Sequence, residues 1–128
     1  MRFLLDTNIV IMMIEPGRTR LSNGHRHLLL NISNTIFCSV VSFWEIGLKV
    51  RKGKLDLGPA YNDLENRLGR ARAVILPLAP SHALGDANLP AAVKDPFDRM
   101  IATIAEIEDL RLVTTDRALL DHPLAWRP

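Results

Sequence analysis

Short apolar runs broken by polar steps set out the chain. Phe3-Leu4-Leu5, Thr35-Ile36-Phe37-Cys38, Ala73-Val74-Ile75-Leu76 and Leu110-Arg111-Leu112-Val113-Thr114 are brief and alternate little, the pattern of strands covered on both faces. Longer segments with helical spacing lie between them. Asp6-Thr7-Asn8 offers capping side chains to a helix through Ile9–Ile14 that Glu15-Pro16-Gly17 ends, although its β-branched residues leave one long strand as the competing reading. Ser22 caps a helix over 24–31. Ser42 and Glu45 have capping-box spacing at the start of a helix over 43–50, on which Trp44, Leu48 and the 43/46/50 set form a broad apolar surface. Helices are predicted over 60–68 and 81–87, with a last helical turn at 117–120 and room for only a fragment of a fifth strand in 121–126.

The best-marked helix opens at Asp95-Pro96 and runs to about Glu108. Asp95 is a good N-cap, and Pro96 fits the first helical position, where its missing N–H costs nothing. Asp98 shares a helix face with Ala102 and Ala105, whose small side chains allow close approach to a neighbour. Strands alternating with helices predict an α/β fold, here a single domain over 1–128 built as a compact α/β/α sandwich with a parallel sheet of four to five strands. In such a sheet ligands sit at the carboxyl ends of the strands.

Four acids are expected at that edge. Asp6 follows the first strand, Glu45 lies in the early turns of the helix after the second, Asp98 opens the helix before the fourth, and Asp116 follows the fourth. Each alone has a plain structural role, as a cap or half of a capping box. Together they would repel and raise one another's pKa values unless a cation joined them. All-oxygen ligation favours magnesium, with manganese possible, over zinc or copper. The matching chemistry is metal-assisted phosphodiester hydrolysis, with one ion or two. Thr7, Asn8, Thr114 and Thr115 stand close in sequence to hold a phosphate or a bound water, or merely to make turn bonds. Arg99 and Arg117 adjoin the acids and are the better candidates to meet a phosphate, though Arg99 has Asp95 and Asp98 within reach as ion-pair partners. The cluster Lys49, Arg51, Lys52 and Lys54 reads as a solvated helix end.

Composition narrows the partners without choosing one. The 128 residues are 48% hydrophobic, enough for a real core, and the formal charge of +2 permits a polyanion without arguing for it. The single Cys38 rules out an internal disulfide and suits a reducing cytoplasm. No apolar run approaches the roughly 20 residues a membrane span requires. His25 and His27 are two apart and do not share a helix face, and nothing in the sequence marks His82 as a general base.

The ordered blocks Phe3-Leu4-Leu5-Asp6-Thr7-Asn8, Ser39–Val50 with Gly53-Lys54-Leu55 behind it, Asp95-Pro96-Phe97-Asp98-Arg99 and Leu112-Val113-Thr114-Thr115-Asp116 resemble the PIN-domain family, in particular the VapC-type ribonuclease toxins of toxin-antitoxin pairs. The resemblance implies a PIN-like fold, a magnesium site at Asp6, Glu45, Asp98 and Asp116, endoribonuclease action on RNA, a homodimer and inhibition by a cognate antitoxin. Asn8, Arg99, Thr115 and Arg117 are then expected to face substrate. Two positions depart from the most similar subgroup: Asn8 and Val93 stand where histidines are frequent. A PIN-like binding module without activity is the alternative, and an aspartyl phosphatase is disfavoured because Asn8 stands where its second acid belongs.

Overall fold

The computed structural model describes every residue except Pro16, Arg18, Asn88, Ala92 and Pro128. In chain order the elements are β1 (Arg2–Leu5), α1 (Thr7–Ile14), α2 (Asn23–Leu30), β2 (Thr35–Ser39), α3 (Val40–Arg51), α4 (Leu64–Arg70), β3 (Ala73–Leu76), α5 (Pro80–Leu84), α6 (Pro96–Ile107), β4 (Arg111–Val113) and α7 (Arg117–Leu120). The four strands form one parallel sheet in the order β3-β2-β1-β4. The predicted fragment of a fifth strand is a single bridge from Ala125 to Leu112, held by the Trp126 N–H on the Leu112 carbonyl at 2.7 Å.

Successive strand residues feed two cores. Phe3, Leu5, Ile36, Cys38 and Val113 point to one face, where Ile9, Val10, Met13, Ile46, Leu64 and Leu68 from α1, α3 and α4 cover them. Leu4 and Leu112 point to the other, against Ile101, Ala102, Ile104 and Ala105 of α6 and Leu119 of α7. Ala102 and Ala105 are fully buried, so the small-residue face of α6 is the one laid on the sheet. Burial also explains why Cys38 is inert: its thiol is pushed up to about 12 by desolvation.

Three boundaries differ from the sequence reading. Helix α3 begins at Val40, directly out of β2, with Ser39 as N-cap accepting from the Val41 N–H at 3.1 Å. Ser42 therefore lies inside the helix, and the Ser42–Glu45 capping box does not form. Helix α4 starts at Leu64, because Gly58 (φ +55) and Pro59 first make a tight helical turn at Gly58–Ala60. Helix α5 stops at Leu84, and its C-cap is Gly85, where a Cβ would lie 2.8 Å from Thr103 Cγ2 and 2.9 Å from the Ser81 carbonyl oxygen. Glycine is what lets α5 end against α6.

Candidate active site at the carboxyl edge of the sheet

The strand order reverses direction between β1 and β4. From β1 the chain moves outward through β2 to β3, then returns across the sheet to place β4 on the other side of β1. Loops leaving β1 and β4 diverge at such a switch point and open a crevice between them. Asp6 and Asp116 occupy those loops, and the Asp6 N–H is tied to the Val113 carbonyl at 2.9 Å. Both acids also cap helices: Asp6 Oδ1 accepts from the Thr7 N–H at 2.8 Å and Asp116 Oδ1 from the Ala118 N–H at 2.9 Å. At α6 the division of labour is different. Asp95 Oδ1 takes the Phe97 and Asp98 N–H groups, at 2.8 and 3.4 Å, which leaves the Asp98 carboxyl unused by its own helix.

Thr114 joins two of the acids. Its hydroxyl donates to Asp6 Oδ2 at 2.7 Å and accepts from the Asp116 N–H at 3.0 Å, and the residue is buried. A second hydroxyl pair, Thr7 with Ser42 at 2.9 Å, pins α3 to the start of α1 and thereby fixes Glu45 one helical step further on. Glu45 is buried, with its Oε2 3.2 Å from Lys49 Nζ. Sequence reasoning grouped Thr114 and Thr7 with neighbouring Asn8 and Thr115. The structure separates them, because Thr7 and Thr114 are buried in hydrogen bonds while Asn8 and Thr115 are exposed.

The electrostatics show that the four acids feel one another. Asp6 is pushed up to about 6, first by burial and then by the charges of Glu45 and Asp116, against the hydrogen bonds from Thr114 and Thr7 that favour its charged form. Asp98 is pushed up to about 8, by desolvation first, next by a hydrogen bond it shares with Asp116, and then by the charges of Asp95, Asp6 and Asp116. Burial and the neighbouring carboxylates together hold the Asp98 carboxyl well above the ordinary carboxylate range. As the side chains stand, no group of three or more His, Cys, Asp or Glu among the described residues is arranged to hold a metal ion. The donor set itself, oxygen throughout, suits a hard divalent cation such as magnesium.

The arginines are used unequally. Arg99 donates to the carbonyls of Val93 (2.8 Å) and Pro90 (3.3 Å) and pairs with Asp86 at 3.1 Å, so it ties the segment before α6 to that helix. Its partner is neither of the acids anticipated from sequence. Arg117 is exposed at the start of α7, beside Asp116.

The chain belongs to the PIN domain family, whose model matches residues 3–123. Proteins of that family are generally nucleases and typically depend on a divalent metal. Among solved structures, the fold is similar to a chain in the crystal structure of VapBC2 from Rickettsia felis bound to a DNA fragment from their promoter, with a TM-score of 0.67, 22% identity, and coverage of 98% of this chain and 96% of that one. No curated protein is similar enough in sequence to count as a relative.

Proposed function

We propose that the protein is a single-domain, magnesium-dependent endoribonuclease that acts as the toxin of a toxin-antitoxin pair in the cytoplasm, as a homodimer restrained by a cognate antitoxin. The observation that carries the nuclease reading is the gathering of Asp6, Glu45, Asp98 and Asp116 at the β1/β4 switch point, where burial first and the neighbouring acids next push the Asp98 carboxyl up. Acids placed only as caps have no reason to be pressed against one another. The family match supports the nuclease class, and the likeness to a VapBC2 chain supports the toxin-antitoxin setting.

Asp6, Glu45, Asp98 and Asp116 would hold the ion, and manganese would serve in place of magnesium. The bound ion would polarise the phosphoryl group and lower the pKa of an attacking water. Thr114 keeps Asp6 and Asp116 in register through its two hydrogen bonds. A proton on the raised Asp98 carboxyl would compete with the ion, because a protonated oxygen is a poor ligand. Asn8, Thr115, Arg99 and Arg117 are proposed to face the RNA, with Arg99 acting from a position already anchored to Asp86 and Val93.

The test is cleavage of a mixed RNA pool by the purified chain and its Asp98→Asn variant, with magnesium, with manganese and with a chelator. Metal-dependent cleavage that the variant lacks is expected. Cleavage that persists in chelator, or equally in the variant, would remove the mechanism. The runner-up is a PIN-like module that binds RNA or protein without cutting; it predicts binding of the pool with no cleavage under any condition.

A further inference from the structure

Lys49 pairs with one of the four acids. Its ammonium lies 3.2 Å from Glu45 Oε2, one turn earlier on α3. Exposed pairs of this spacing contribute little. This one is not on an open surface, because Glu45 is only 8% exposed and lies close enough to Asp6 for their charges to repel. Nor does α3 need the pair to place a cation there, since the last turn of a helix already favours positive charge. Arg99, which lies one residue from Asp98, is committed to Asp86. Lys49 is thus the described cation in ion-pair contact with a site acid, and its flexible four-carbon stem lets the ammonium move while α3 stays fixed.

We propose that Lys49 is a built-in countercharge that competes with the divalent ion for Glu45 and, once displaced, meets the phosphate that the ion holds. The proposal rests on the metal-dependent nuclease reading above. Two demands on the site explain it. An acidic pocket built for a cation must be neutralised in part while the cation is away. A phosphodiester under attack then gathers negative charge, which a nearby ammonium stabilises. A lysine shared between the two serves both states.

Calorimetric titration with Mn2+ in the absence of RNA tests the first half. Lys49→Gln is expected to bind Mn2+ roughly twofold to fivefold more tightly than the unaltered chain, the range of a partly screened ion pair. Lys49→Arg should bind as the unaltered chain does. In a Glu45→Gln background the Lys49→Gln gain should vanish, because its partner is gone. At saturating Mn2+, Lys49→Gln should cut RNA with kcat lowered about tenfold or more. A variant that binds metal more tightly yet turns over more slowly separates this role from a structural one, and circular dichroism checks that α3 is intact. Unchanged or weaker Mn2+ binding by Lys49→Gln overturns the proposal, as does an equal gain in the Glu45→Gln background or an undiminished kcat. If the unaltered chain cuts no RNA, the nuclease reading falls and takes the phosphate half with it, while the calorimetry still decides the competition at Glu45.

Discussion

At the C-terminal end of α6, Glu106 and Glu108 each face a buried histidine, whereas at its N-terminal end Asp98 faces other acids. His82 Nδ1 accepts from the Ala79 N–H at 2.9 Å, so its proton sits on Nε2 and reaches Glu108 Oε1 at 2.8 Å. His122 is built alike: Nδ1 accepts from the Leu124 N–H at 3.2 Å, and Nε2 lies 3.3 Å from Glu106 Oε1, close but without hydrogen-bond geometry. The helix dipole disfavours acids at this end, and the His82 N–H offsets that for Glu108. At the other end the dipole favours an acid by up to about 1 kcal/mol, less than one step of pH. Yet Asp98 is displaced from 3.8 to about 8. Burial first and the surrounding acids next win over the dipole, and that contrast separates acids that hold the fold from acids placed for another purpose.

The largest expected effect tests that separation directly. Asp98→Asn should lower RNA cleavage by about 1000-fold, equivalent to roughly 4 kcal/mol of lost transition-state stabilisation. Glu108→Gln, at the far end of the same helix, should leave cleavage within about twofold while weakening the fold. Comparable losses from both would erase the distinction between the two ends.

Asp6 gives the next effect, in stability. Its folded value of about 6 lies above the ordinary 3.8, so the folded state holds the proton more tightly than the unfolded chain does. Stability from this group is intact below pH 4 and is lost as pH rises through about 6, by about 3 kcal/mol in all. Asp6→Asn should therefore gain on the unaltered chain by about that amount across pH 4 to 7 in metal-free urea unfolding. Saturating Mn2+ should close the gap, since a ligand at 100 times its Kd stabilises the binding form by about 2.7 kcal/mol. A pH-independent difference between the two proteins would show that Asp6 is not strained by burial.

Much of this was readable before folding, and the reasons are local. The strand over 73–76 falls where its apolar run falls, and Asp95-Pro96 marks the start of α6, because caps and prolines act within a few residues. The convergence of Asp6 and Asp116 followed from one rule about parallel sheets. The start of α3 was hidden because Ser39-Val40-Val41-Ser42 read as the turn into the helix while Ser42-x-x-Glu45 imitated a cap; the cap is Ser39. The histidine pairs had no signal at all: His82 and Glu108 are 26 residues apart, and only the packing of α5 on α6 brings them together. Thr114 was visible only as one of several nearby hydroxyls, since its bond to Asp6 spans 108 residues.

Those histidines supply the third effect. His82 is 1% exposed, and His82→Ala would leave the Ala79 N–H without its acceptor, free Glu108 and open a cavity. The cost should be about 2–3 kcal/mol in urea unfolding, with metal binding unchanged. His82→Gln should recover part of it, because an amide can supply both an acceptor and a donor. A loss of Mn2+ affinity in His82→Ala would mean that the two ends of α6 are coupled rather than separate.

The smallest effect lies just past that paired end. Asp109 takes a left-handed backbone conformation (φ +54) where α6 turns into β4, and no described cation pairs with it. A residue with a Cβ loses about 1 kcal/mol there, less for Asp than for most, and glycine loses none of it. Asp109→Gly also removes a third acid from the end of the helix where the dipole disfavours one. Against this, glycine makes the unfolded chain more flexible. The net gain should be about 0.5 kcal/mol, a rise in Tm of roughly 2 °C for a chain of this size. Asp109→Asn keeps the side chain and removes only the charge, so it should return a few tenths of that gain at low salt and almost none at high salt. Should Asn match Gly at every salt concentration, charge would account for nothing at this turn, and compensation at the C-terminal end of α6 would belong to Glu106 and Glu108 alone.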